Sequence, residues 1–295
     1  MIDFDFDYRS RRTEGPAVIA VEQIWYARGT VPYRSELIAP TGSTVALLVF
    51  GDPIRQTPAN GTEVTSAEGL VIGPHTAPIE NAPLGETFAL GIVTTSVGCE
   101  PTIGIPPAAI RGRVVTLRQA DPSLVDLRAS IADELERSPE AMLDRLGGWV
   151  ETQVDLNMPG LERVAHAVQM LEEEPRRPIA DIASAIGVTH PHLDREFNRI
   201  VGLTPRALAR LLLLRRLLVT VDPEREISWA DLAYEHGWAD QAHFSRDFKR
   251  HTGVSPTAYL ATQRAIAGAG SGEGAPDSPP ISRTCVEDHR GTPAM

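Results

Sequence analysis

Arginine, glutamine and histidine at the start of a helix are the side chains best suited to hydrogen-bond base edges in a major groove. This chain carries two such groups, one at His190, His192, Asp194 and Arg195 and one at Gln241, His243 and Arg246. An arginine can bond guanine O6 and N7 together, and a glutamine can do the same for adenine. Asp194 is the exception, since an acid can accept from a cytosine amino group but repels a nearby phosphate. Thr189, Arg199, Lys249 and Arg250 flank these positions and are suited to phosphate oxygens. Lys249 is the only lysine in the chain, so phosphate contact falls mainly to arginine.

The two groups sit in a repeat. The segment 179–208 matches 228–260: Ala183 and Ala233 are 50 residues apart, as are Gly187 and Gly237. Leu193 and Phe244, Arg195 and Arg246, Phe197 and Phe248, Gly202 and Gly253, and Pro205 and Pro256 are each 51 apart, which requires one inserted residue in the second turn. Each copy reads as a helix-turn-helix, 179–200 and 229–251. A small alanine lets two helices cross closely, and a glycine four residues later supplies the backbone that ends the first helix. Thr189 and Asp240 are then N-caps for the second helix, with Pro191 in its first turn. Leu193 and Phe197, and their counterparts Phe244 and Phe248, are four apart and face a core. Between the copies, 206–221 is a leucine-rich helix apolar almost all round, expected to lie buried between the units and hold them about 34 Å apart, one turn of DNA.

On these residues the chain resembles the AraC/XylS family of transcriptional regulators. The resemblance covers roughly 161–262 and rests on the Ala-x3-Gly of each unit, the run from Arg246 to Tyr259 and the one-residue difference between the turns. It implies an all-α DNA-binding domain preceded by an effector-sensing or dimerising domain. Carried over by position, base contacts fall at His190, Asp194 and Arg195 and at Gln241, His243 and Arg246. Asp194 and Pro191 depart from the family pattern, so the first unit is expected to read fewer bases. The implied function is sequence-specific regulation at double-stranded promoter DNA by a bacterial, cytoplasmic protein. The implied partners are a small-molecule effector, a second copy of the chain and, in an activator, RNA polymerase.

The rest of the chain must position that domain. At 295 residues two cores are expected. Runs such as AVIAVEQIWYA, STVALLVFG, GLVIGP, FALGIVTT and RVVTL, separated by Gly and Pro, read residues 1–118 as a small β-barrel or sandwich. This part resembles the cupin-like domain of one branch of the same family, through IWYARGTVPY, Gly73-Pro74 and GIPPAAIRGRVVTL. Apolar residues three or four apart, Leu124, Leu127, Ile131 and Leu135 and then Met142, Leu143, Leu146 and Val150, make 119–154 a helical hairpin with an apolar stripe suited to dimerisation. A linker is expected at 155–160, and 265–295, low in complexity and apolar content, is expected to carry no packed structure. The fold class is therefore α+β and multidomain.

Charge and composition exclude several other classes. The net charge of −11 lies mostly in 1–160, with 12 Arg against 21 acids, whereas 161–265 carries 14 Lys plus Arg against 14 acids. A DNA-binding face must therefore come from local clustering. No apolar run is long enough for a membrane span, and the acidic N-terminus does not read as a secretory signal. Residues 1–160 hold a single histidine, His75, so neither a metal site nor a metal-dependent enzyme is expected there. A barrel enzyme would need an acid/base pair that is missing, and an alkyl-accepting repair protein would need a cysteine cluster, whereas the chain has only Cys99 and Cys285. No cofactor and no catalytic residue are expected.

Overall fold

The computed structural model describes residues 6–269, apart from Pro32, Asn60 and 133–137, and also Ile281 and Ser282. The first half is built from β1 (Phe6–Arg12), β2 (Val21–Gly29), β3 (Glu36–Ile38), β4 (Val45–Val49), β5 (Ile54–Pro58), β6 (Val64–Ser66), β7 (Gly69–Ile72), β8 (Ile79–Pro83) and β9 (Thr87–Thr94). Two short helices, α1 (Cys99–Ile103) and α2 (Pro107–Ile110), precede β10 (Val114–Thr116). One sheet has the order β1-β2-β9-β4-β7-β10, and the second runs through β3-β8-β5-β6. Every pairing among these ten strands is antiparallel.

β4 shows why the apolar runs were continuous rather than alternating. Val45, Leu47 and Val49 fill the space between the sheets, while Ala46 and Leu48 face a second core on the other side. A strand covered on both faces has no reason to alternate. The outer cover is the helical pair α4 (Pro122–Ala132) and α5 (Pro139–Gln153), preceded by the single turn α3 (Leu117–Ala120). Ser138 caps α5 by accepting from the Ala141 N–H. Leu124, Leu127, Ile131, Met142, Leu143, Leu146 and Val150 join Ile24, Leu48, Leu90 and Ile92 in one core. The stripe expected to pair with a second copy is thus spent against the chain's own sheet, because the outer face of that sheet is too apolar to leave in water.

The second half is helical: α6 (Leu161–Glu173), α7 (Ile179–Ala185), α8 (His190–Ile200), α9 (Pro205–Thr220), α10 (Trp229–Glu235), α11 (Gln241–Thr252) and α12 (Pro256–Ala269). The leucine-rich α9 joins two cores in sequence. Leu208, Leu211 and Leu212 belong to the first, with Leu161, Ile182 and Phe197, while Leu214, Leu217 and Leu218 belong to the second, with Trp238, Phe244 and Phe248. Helix α12 runs through Ala269, a few residues past the expected domain end at 264. Ile281 and Ser282 form β11, which pairs parallel with Leu37 and Ile38 of β3. The other tail residues, 270–280 and 283–295, lie outside the described residues, as do Leu135 and Cys285. Among the described residues no helix is long and apolar enough to cross a membrane.

Candidate nucleic-acid interface

Each unit turns as its sequence requires. Ala183 and Ala233, 2% and 1% exposed, lie where the first helix of each unit meets the second. Gly187 and Gly237 take φ of +74° and +83° just past the C-caps Ile186 and His236 of α7 and α10, a conformation that costs a side chain about 1–2 kcal/mol. The caps are unequal. The Asp240 carboxylate accepts from the His243 N–H at 2.7 Å, whereas Thr189 stands at the same position of α8 without a side-chain cap bond.

The two second helices then present matching faces. Leu193, Phe197, Phe244 and Phe248 are completely buried. His190, Arg195 and Arg199 of α8, and Gln241, Arg246, Lys249 and Arg250 of α11, are exposed, with His192, Asp194 and His243 half-buried. The spacing that buries one side of each helix therefore leaves the nominated side chains together on the other. Several of them have partners within the chain. Asp194 lies 3.8 Å from His190, and Arg199 donates to the Pro159 carbonyl oxygen at 2.5 Å, tying α8 to the segment before α6. The cores beneath differ in kind. That of the second unit is aromatic: the Phe244 ring stacks on Trp229 at 5.8 Å and meets Trp238 and Phe248 edge-on at 5.2 and 5.5 Å.

Sequence reasoning missed the carboxylates under these helices and the docking of the β-domain upon both. Glu196 and Asp247 are acids on a helix and read as surface, yet they are only 9% and 8% exposed. The 51-residue offset that pairs Arg195 with Arg246 also pairs these two, and was the signal available. At the first unit, Arg111 donates to Asn198 Oδ1 and to the Gly202 carbonyl at 3.3 and 3.2 Å. A Cβ on Gly202 would stand 2.9 Å from Pro107 and 3.2 Å from Pro74. At the second unit, His251 Nδ1 meets the Thr76 carbonyl, and a Cβ on Gly253 would stand 3.2 Å from Pro78. One loop, 73–78, thus touches the turn after both α8 and α11.

Between the domains a cleft of about 680 Å³ is lined by Arg12, Glu22, Ser96, Leu212, Arg215 and His236, among others. Arg215 bonds Glu22 across the seam at 3.3 Å, and burial holds the His236 imidazole below its ordinary range. Cys99 is buried, and burial pushes its thiol up to about 12, so it is not a thiolate at neutral pH. Among the described residues no group of three or more His, Cys, Asp or Glu could hold a metal ion.

The C-terminal part is similar to a known family. Residues 182–262 match a family described as a helix-turn-helix domain. The HTH-type transcriptional regulator MtrA of Neisseria gonorrhoeae is 27% identical over 124 residues, which span 39% of this chain and 40% of that protein. Among solved structures, ToxT from Vibrio cholerae is 12% identical with a TM-score of 0.43, covering 87% of this chain and 97% of ToxT. The AraC-like transcriptional activator CuxR is 11% identical with a TM-score of 0.22, covering 72% and 87%.

Proposed function

We propose that the AraC-type helix-turn-helix domain at the C-terminal end makes this chain a sequence-specific transcriptional regulator, laying α8 and α11 into two adjacent major-groove segments of bacterial promoter DNA. The observation that carries this reading is the repeated face, in which Arg195 and Arg246 stand exposed above Phe197 and Phe248, every position offset by 51 residues. Base edges are read by His190, Asp194 and Arg195 and by Gln241, His243 and Arg246. Thr189, Lys249 and Arg250 meet phosphates. Arg199 joins them only on leaving the Pro159 carbonyl. The second unit is the stronger reader, since its helix start is fixed by the Asp240 cap, while Asp194 is shared with His190.

The β-domain regulates this face. A small effector in the seam cleft would change how the sensor sits on α9, because Arg12, Glu22 and Ser96 come from one domain and Leu212, Arg215 and His236 from the other. A second copy of the chain would engage a surface other than the buried helical stripe. An activator of this kind would touch RNA polymerase, and the site of action is the cytoplasm, where promoter DNA lies.

Binding-site sequencing on the chromosome, followed by titration of the recovered site at several salt concentrations, tests the reading. Expected is a site with two contact segments one helical turn apart and an affinity that falls steeply with salt. Recovery of no enriched sequence would sink it.

A further inference from the structure

The same side-chain arrangement lies beneath both recognition helices. In α8 the Glu196 carboxylate accepts from Arg163 of α6 twice, Nε to Oε2 at 3.0 Å and Nη2 to Oε1 at 2.5 Å. His192 Nε2 stands 3.4 Å from the same Oε2. In α11 the Asp247 carboxylate accepts from Trp238 Nε1 at 3.3 Å. Arg210 of α9 lies 3.7 Å from its Oδ1, and His243 Nε2 lies 3.4 Å from its Oδ2. The carboxylates are 51 residues apart and so are the histidines. Each histidine sits one turn before its carboxylate, and each arginine comes from the helix that precedes its unit.

Packing alone does not explain this pattern. Removing a carboxylate from water is costly, and an apolar residue of similar volume at such a position is often as stable or more so. The arrangement does have a directional effect. An imidazole Nε2 held 3.4 Å from a carboxylate oxygen favours the proton on Nε2 electrostatically, which leaves Nδ1 of the neutral ring as the acceptor. The side chains of His192 and His243 remain 43% and 38% exposed on the outward half of their helices. An acceptor in that position matches the exocyclic amino groups that adenine and cytosine present in the major groove.

We infer that Glu196 and Asp247 are positioning residues for base reading. Each fixes the tautomer and direction of the imidazole one turn earlier, so that His192 and His243 accept from an adenine or cytosine amino group. Arg163 and Arg210, with Trp238, hold the carboxylates in place from the scaffold. The inference rests on the DNA-binding reading and adds His192 to the base contacts that the family resemblance implies.

The test is selection of bound sequences from randomised duplex DNA by the full chain, then titration of the best site against single-base changes. Asp247→Leu and His243→Ala should each lose preference at one common base pair of the second segment, by roughly five- to tenfold. The double variant should lose no more than either single one. Glu196→Leu and His192→Ala should behave alike at one base pair of the first segment. Asp247→Asn and Glu196→Gln, which keep an acceptor oxygen, should retain most of the preference. Affinity for a scrambled duplex and the melting temperature report folding, so a variant that weakens all DNA equally and melts early shows a merely structural carboxylate and overturns the inference. Full preference in the Leu variants also overturns it. A parent protein that selects no sequence overturns the DNA-binding reading itself.

Discussion

His251 donates from Nδ1 to the Thr76 carbonyl oxygen at 2.5 Å, joining the end of the second recognition helix to a loop 175 residues earlier. The donor must be Nδ1–H, so Nε2 is the bare nitrogen, and it has no hydrogen-bond partner among the described residues. His75, in the same loop, repeats the pattern, with Nδ1 on the Gly73 carbonyl at 2.9 Å and Nε2 unpartnered. Burial depresses both imidazoles. For His251, the Thr76 hydrogen bond and then Asp247 oppose the shift without cancelling it, while Arg250 and Arg210 reinforce it.

The first prediction follows from the sign of that shift. Below the ordinary histidine value of about 6.5, the unfolded or undocked chain takes up protons that the docked form resists, so stability falls as pH falls. Docking of loop 73–78 should therefore weaken below pH ~6.5 and be complete above it. Amide exchange of that loop measured from pH 5.5 to 8 reads this directly. Exchange that is unchanged across the range after correction for intrinsic rates would refute it. Glu196 lies in a different window: the Arg163 hydrogen bond lowers its carboxyl, so its contribution persists above the usual carboxylate range and is lost only in stronger acid.

The second prediction separates base readers from phosphate contacts. Arg246→Ala should weaken binding to the mapped site by about 1–3 kcal/mol and relax selectivity at one position. Lys249→Ala should weaken every sequence alike and reduce the salt slope by about 1. Titration on matched and scrambled duplexes at three salt concentrations distinguishes them. Identical behaviour of the two variants would mean that Arg246 does not read a base.

How far all this was legible in the sequence depended on whether a residue behaved as its type usually does. The repeat, the turn glycines, the Asp240 cap and the buried runs of β4, β7 and β9 all followed from spacing. β1 was missed because FDYRSRR is mostly exposed and polar, and it is held by pairing to β2 and by Arg9 and Arg11 reaching Glu140 and Asp144 of α5. β5 was missed because its inward face includes Gln56, fully buried and donating to Asn81 Oδ1 at 3.1 Å, where an apolar side chain was the expectation. At the interface the exposed positions were legible for the same reason the core was, as its complement. Glu196 and Asp247 were not, because an acid on a helix is ordinarily solvated and only the fold supplies the arginines that make its burial tolerable.

A third prediction concerns the close crossings. Ala233 is 1% exposed against a core already filled by Trp238, Phe244 and Phe248. Ala233→Leu should force α10 away from α11, destabilising the second unit by about 1–3 kcal/mol or more. The first unit has its own core and should be spared. Exchange protection lost in α11 but retained in α8 is the expected result, and loss in both would mean that α9 couples the two cores more tightly than their separate membership implies.

The last prediction tests whether the β-domain governs the DNA-reading face through its docking. Arg111 spans the seam with two hydrogen bonds, to Asn198 Oδ1 on α8 and to the Gly202 carbonyl beyond it. Both bonds are at or near the surface and each contributes on the order of 1 kcal/mol, so Arg111→Ala should leave the global melting temperature within a few degrees. It should nevertheless raise amide exchange at 198–203, since no other hydrogen bond between the domains reaches that turn among those described. If docking restrains the first recognition helix, affinity for the mapped site should change in the first segment and not in the second. Equal footprints for parent and variant on both segments would show that the β-domain sits on the first unit without controlling it.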